Sequence, residues 1–319
     1  MSAAALAPVI AIPSKRRIGE IAPPDRVDDD AYLGQFIPLH YHGQLLTDEP
    51  RLRAFQETID RLVPEGSHVV ELGAGTGVLS FFASKRARKV SCIERIPHVA
   101  AAARALIAIN GASHKVRVFE GDARTFVPDE PADVVICDML HAGLVRDKQI
   151  AVLEDFKARH EAHFGRAIPT IIPEATILAV QPIFQPFDFN GFFAPIPLFS
   201  PPGIGSGQTV ELGSPEVYAI VEYARETPLD FVFDRLMTID TAGTVNALRF
   251  VTKNVVGIFP ETGRTCDWHM NYLSIPLAEP IHVSAGERIR VKFHYEAGCS
   301  MQSLGDGLSA QIWRRSQHG

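Results

Sequence analysis

The stretch at 69–80, VVELGAGTGVLS, constrains the fold more than any other part of this sequence. A β-branched apolar run ends on Glu71. Gly73, Gly75 and Gly77 follow, and an apolar, helix-like run then resumes. Glycines at this spacing let the backbone take positive φ and come close to a bound group. A strand that feeds a helix through such a turn is the opening unit of a nucleotide-binding sheet. Taken alone, the glycines also fit a plain tight turn, so the neighbouring segments have to narrow the choice.

Those segments alternate. HVVEL, KVSCIE, KVRVFEGD and ADVVICD have the β-branched character of strands. GVLSFFASKRA, PHVAAAARALIAING and 147–163 have helical periodicity, with Pro97 near the start of the second and Gly111 past its end. Strand–helix alternation predicts a parallel, Rossmann-like sheet covered by helices on both faces. A helical pattern over 32–62 precedes it. After Pro173 the texture changes to short, partly alternating runs such as VYAIVEYA and RIRVKFHYE, which predict an antiparallel, β-barrel-like half. Between ATILAVQPIF, the first run after Pro173, and VYAIVEYA lies a Pro-, Gly- and Phe-rich stretch at 185–207. An exposed aromatic loop of that length is usually an interface. The sequence therefore divides into a flexible tail at 1–30, a ligand-binding α/β domain at 31–172 and a β domain at 173–319.

Successive strand ends carry acids. Glu94 lies about 20 residues after the glycines, where a carboxylate can hold ribose hydroxyls. Asp122, followed by Ala123, ends the third strand and is placed to meet an adenine edge. No GKS or GKT is present, so the phosphate-binding lysine of a Walker loop is missing. Glu71 before the glycines would repel a pyrophosphate and suits a cationic nucleoside. S-adenosylmethionine, with its ammonium and sulfonium, meets that requirement. A dinucleotide oxidoreductase accounts for the glycines but leaves Glu71 and the 32–51 segment unexplained.

VVELGAGTG, VSCIE, EGDA and VVICD resemble the successive motifs of class I S-adenosylmethionine methyltransferases. YLGQFIPLHYHGQLLTDEPR resembles the opening helix of the protein arginine methyltransferases, with its Tyr-x9-His-x2-Met-Leu-x-Asp-x2-Arg pattern; here Tyr32, His42, Leu45, Leu46, Asp48 and Arg51 hold those places. The resemblance runs from about residue 32 to the end. It implies a β-barrel domain and a homodimer made through an arm at 185–207. It also implies that His42 and Arg51 contact the cofactor, Arg51 through the cofactor carboxylate, and that Tyr32 closes over the site.

Two departures bear on the methyl acceptor. The family clamps a guanidinium between two glutamates nine residues apart, and here Asp138 and Asp147 stand at that spacing. Paired carboxylates can localise charge away from one guanidinium nitrogen and aim that nitrogen at the methyl. Read locally instead, Asp138 is a generic acid at a strand end and Asp147 an acid near a helix start. The family's Thr-His-Trp loop is Cys266–Asp267–Trp268 here. Trp268 is kept, but the histidine that pairs with the acid at Asp48 is replaced by Asp267, and two acids need a shared proton or a cation between them. The reading is a methyltransferase acting on a cationic nitrogen, a guanidine or amine of a small molecule or peptide. Protein arginine methylation and a non-catalytic binding scaffold are the alternatives.

Composition excludes other classes. A net charge of −6 argues against a nucleic-acid or acidic-membrane surface. The four cysteines form no CxxC pair, so neither a metal site nor a disulfide framework is expected, and reduced thiols fit a cytoplasmic protein. No apolar run approaches the ~20 residues of a membrane-spanning helix.

Overall fold

The structure, a computed structural model, describes residues 39–165, 168–203 and 209–313. Tyr32, the tail at 1–30 and the last part of the expected arm lie outside the described residues.

The alternating half forms a five-stranded parallel sheet: β1 (His68–Leu72), β2 (Lys89–Glu94), β3 (Val116–Glu120), β4 (Val134–Cys137) and β5 (Thr170–Ile172), in the order β3-β2-β1-β4-β5. Every residue of β1 and β4 is buried, which is why both read as continuous apolar runs without alternation. The chain winds from β1 outward to β3, then returns to β4 on the other side. At that reversal the connections leaving β1 and β4 part, and a crevice opens at the carboxyl ends of the strands.

The expected helix over 32–62 is broken in two. α1 (Leu39–Thr47) and α2 (Glu49–Leu62) meet at Asp48, whose side chain accepts a hydrogen bond from the Arg51 amide at 3.1 Å and caps α2. A proline in the first turn of α2 fixes its entry geometry. α3 (Val78–Ser84) starts directly after the glycine turn. α4 (Pro97–Ile109) opens on its proline, and α5 (Gln149–Phe164) ends on a left-handed Gly165. No described helix is long and apolar enough to cross a membrane.

After Ile172 the chain is antiparallel. β6 (Ala175–Phe184), β13 (Gly243–Phe259) and β15 (Tyr272–Val283) form the centre of one sheet, with β11 (Glu216–Glu222) on β6 and β14 (Arg264–His269) on β13. β12 (Asp230–Thr238), β16 (Arg288–Glu296) and β17 (Ser309–Ile312) form another. The inward residues of β16 alternate with exposed ones along the strand. Tyr218 meets Phe231, Phe233, Phe250, Phe293 and Tyr295 edge-on, with ring centroids 5.1–6.4 Å apart. The apolar core runs without interruption from the parallel sheet into this aromatic cluster. The 185–203 stretch holds a short hairpin of β7 (Asp188–Phe189) and β8 (Phe192–Phe193). It then returns through β9 (Leu198–Ser200) to pair with β15. α6 (Met301–Asp306) was not expected from sequence.

Candidate active site

One cleft of about 1170 Å³ lies over the carboxyl ends of the parallel strands, between α1 and the antiparallel half. Its first end is built by the glycine turn. Gly73, Gly75 and Gly77 all take positive φ (73°, 55° and 78°). A Cβ on Gly75 would stand 2.9 Å from Nδ1 of His42, and one on Gly73 2.9 Å from Cγ of Met139, so both glycines are required by close approach. Gly77 serves a different need: it brings α3 against Ile107 of α4.

Glu94, at the end of β2, organises this end. One carboxylate oxygen accepts the Gly75 amide and the other the Ile96 amide, each at 2.9 Å, and the side chain lines the cleft while only 8% of the residue is exposed. Asp122 accepts the Arg124 amide at 2.9 Å and lines the same wall with Ala123. His42 faces Glu94 across the glycine turn, and burial pushes its imidazole below the usual histidine range, so it is neutral at physiological pH.

Glu71 lies elsewhere. It is buried, does not line the cleft, and turns its carboxyl to the amide and hydroxyl of Ser80 at the start of α3. Burial pushes it up to about 8, against the pull of those two hydrogen bonds, so it is largely neutral at pH 7. The expected greeting of a cation by a Glu71 charge is therefore not what the geometry provides. Glu71 braces the glycine turn from below.

The second end brings Arg51, Asp138 and Asp147 together. Nε of Arg51 donates to Oδ2 of Asp138 at 2.6 Å, a second nitrogen reaches the same oxygen, and Nη1 donates to the Leu45 carbonyl at 3.2 Å. The guanidinium stands over the rings of Phe55 and Trp268 at 5.6 and 6.0 Å. Asp138 thus holds a guanidinium of its own chain. Asp147 lines the cleft from the far end of the loop that follows β4. Burial pushes its carboxyl up to about 7, with Arg146 opposing and Asp138 reinforcing the shift. Asp48, expected at the reacting centre, lines the cleft as the cap of α2. Trp268 packs its ring against Phe55, with only 6% of the residue exposed.

Asp267 takes its cation from its own chain: Nζ of Lys253, on β13, lies 2.6 Å from it. No local pattern in the sequence points to Lys253, which reaches Asp267 only through β13–β14 pairing. His141 was also missed, although it stands in plain view in DMLHAGLVRD. It lines the cleft edge-on to Phe199, with ring centroids 5.6 Å apart, and its Nδ1 lies 3.2 Å from the Ala142 carbonyl. Burial pushes it down to about 4, so it stays neutral. Away from the cleft, His68, Asp129 and Glu130 approach one another, but both His68 nitrogens are already hydrogen-bonded and Lys89 lies on both carboxylates.

A model of the TRM5/TYW2 methyltransferase domain matches residues 49–177, which hold the whole parallel sheet and the glycine turn. A probable protein arginine N-methyltransferase 6 of Arabidopsis thaliana is 28% identical over 170 residues, 52% of this chain and 38% of that protein. A Trypanosoma brucei arginine methyltransferase enzyme–prozyme heterotetramer, solved with S-adenosylhomocysteine, shares the fold. Its TM-score is 0.66 at 16% identity, covering 86% of this chain and 98% of that one. The chain is an S-adenosylmethionine-dependent methyltransferase that resembles the protein arginine methyltransferases. An uncharacterised protein of Methanocaldococcus jannaschii, 26% identical over 265 residues, spans 83% of this methyltransferase and 95% of its own length. The donor set fits the cofactor: a glycine cradle that a Cβ would fill, a strand-end carboxylate beside it, and a guanidinium at the far end of the same cleft.

Proposed function

We propose that this methyltransferase transfers the methyl group to the nitrogen of a guanidine or amine carried by a small molecule or peptide. The observation that carries the proposal is a half-buried carboxyl, Asp147, lining the same cleft as the Asp138–Arg51 ion pair. Glu94 would hold the ribose, Asp122 and Ala123 the adenine, and His42 with the glycine turn would close over the nucleoside. Arg51, already paired to Asp138, would offer its remaining guanidinium hydrogens to the cofactor carboxylate. When bound, the cofactor supplies an electrophilic methyl and a neutral thioether leaving group.

The chain's own residues position the acceptor. Asp147 binds its positive charge and leaves one nitrogen facing the methyl, and Asp138, paired to Arg51, stands on the same cleft wall. As the C–N bond forms and the C–S bond breaks, that nitrogen must lose a proton. Asp147, with a proton affinity near neutrality, is suited to take it.

The test is transfer of a tritiated methyl group from the cofactor to a panel of guanidines, amines, arginine peptides and intact arginine-rich proteins. Product on small guanidines or amines supports the proposal. Product on intact proteins alone would give protein arginine methylation instead. Bound cofactor with no product on any acceptor would leave a binding scaffold.

We further propose that the chain is a homodimer joined through the β7–β8 hairpin. Phe189, Phe192 and Phe193 there are 46%, 72% and 46% exposed on one short element. Phe192→Asp with Phe193→Asp should halve the mass seen by sedimentation equilibrium at micromolar concentration. An unchanged mass, or a wild-type monomer, would remove the hairpin from the interface.

A further inference from the structure

The loop between Asp138 and Asp147, with a 3-10 turn at Ala142–Leu144, has an unusual backbone. Three residues within it take positive φ: Gly143 at 69°, Leu144 at 53° and Arg146 at 68°. Only the first is glycine, and side-chain-bearing residues hold such conformations where the surroundings over-determine them. Here the surroundings are the antiparallel half. The Gly143 amide donates to Oγ1 of Thr252 on β13 at 2.7 Å, and the Gly143 carbonyl accepts from the Tyr295 hydroxyl on β16 at 2.7 Å. The Leu144 carbonyl accepts from the Gly298 amide at 2.8 Å, and the Arg146 amide donates to the Cys299 carbonyl at 2.7 Å.

With its N–H and its C=O, in two successive peptide groups, each held by a side chain of a different strand, Gly143 is a fixed point, and Asp147 lies four residues beyond it. Direction within the grip follows from the chemistry. A carbonyl only accepts, so Tyr295 gives its proton to Gly143. The Tyr218 hydroxyl, 2.7 Å from that of Tyr295, must then be the donor between the two. Burial raises both phenols, so the protons stay in place throughout the physiological range.

We propose that Tyr295 and Thr252 are positioning residues for methyl transfer: by holding the carbonyl and the amide of Gly143 they fix Asp147 on the acceptor wall of the cleft, with Tyr218 orienting the Tyr295 hydroxyl. The antiparallel half thus sets the acceptor geometry, although it supplies neither of the two aspartates. The inference rests on the reading of Asp147 as an acceptor-binding group, but its first test does not. The charges and titratable groups acting with Asp147 are Arg146, Asp138, Tyr41 and the Cys137 thiol.

The experiment follows the ¹³C resonance of the Asp147 carboxyl, assigned with Asp147→Asn, through a pH titration of the full chain. In the wild type its midpoint should lie near 7. In Tyr295→Phe and in Thr252→Val a loosened loop lets more water reach the carboxyl, and the midpoint should fall by at least one pH unit. The affinity for S-adenosylmethionine, measured by calorimetry, should stay within about twofold. Tyr218→Phe should give a smaller shift in the same direction and serves if Tyr295→Phe does not fold. With N-acetylarginine amide or an arginine–glycine peptide as acceptor, KM should rise about tenfold while kcat changes less. An unmoved Asp147 midpoint in folded Tyr295→Phe and Thr252→Val would overturn the proposal. Wild type that methylates neither probe, with the midpoint still shifted in the variants, would count against the acceptor assignment and leave the clamp standing.

Discussion

Glu94→Ala should weaken S-adenosylmethionine binding by roughly a hundredfold in titration calorimetry, with the fold retained. Two separate losses produce that figure. The first is any hydrogen bond the carboxylate makes to the ribose; hydrogen bonds to charged groups contribute about 1.5–3 kcal/mol each, and about 1.4 kcal/mol is tenfold in affinity. The second is order in the turn itself. The same carboxylate accepts the Gly75 and Ile96 amides, so its removal leaves two donors beside the cleft without their acceptor. The cradle then has to be ordered at the expense of binding energy. Glu94→Gln separates the two contributions. Its amide keeps one acceptor oxygen and replaces the other with a donor, which cannot serve the second backbone N–H, so an intermediate loss is expected. Affinity within threefold of wild type in Glu94→Ala would move the cofactor away from β2 altogether.

The place of Glu94 at the cleft is readable from sequence because it follows from chain order: a strand after a glycine turn, ending on an acid. The parallel sheet was readable for the same reason, since buried strands and amphipathic helices write their periods locally. The acceptor end was not. Asp138 and Asp147 are visible as a spacing, yet whether Asp138 faces a substrate or a guanidinium of its own chain depends on where α2 lies across the sheet. The structure places Arg51 there. Asp267 in sequence is an acid where a histidine was expected. In the fold it is half of an ion pair whose other half, Lys253, is supplied by the neighbouring strand. Tyr295 and Thr252 are further still from the loop they hold, and only the packing of the two halves brings them to it. Glu71 shows the opposite failure. Its place before the glycines was right for contact with a cation by chain position, but within a strand buried on both faces its side chain goes under the turn to Ser80.

Asp147→Asn should lower methyl transfer to a cationic acceptor by roughly 10²–10⁴-fold, the range expected when a positioned proton acceptor is lost. The same change should raise the melting temperature at pH 8. Burial raises the Asp147 carboxyl from its ordinary 3.8 to about 7, so the fold disfavours the ionised form. In the unfolded chain the group ionises near its ordinary value. The penalty on folding is therefore absent below about pH 4, grows between pH 4 and pH 7, and is complete above pH 7. At about 1.4 kcal/mol per pH unit the ceiling is roughly 4 kcal/mol, and solvent relaxation around a side chain that still lines the cleft brings the expectation to about 2 kcal/mol. Asparagine carries no such penalty. The variant should melt a few degrees higher than wild type at pH 8, by less at pH 6, and together with it near pH 4. Asp138→Asn should behave in the opposite way. It leaves the Arg51 guanidinium buried without its carboxylate, and breaking a buried pair at one partner is strongly destabilising. Two aspartates nine residues apart, equivalent by spacing, are thus distinguished by the sign of what their removal does to stability: one completes a structural ion pair, and the other is held in the cleft at a cost that only a bound cation offsets. Equal destabilisation by both substitutions would make Asp147 a second structural acid and end its assignment to the acceptor.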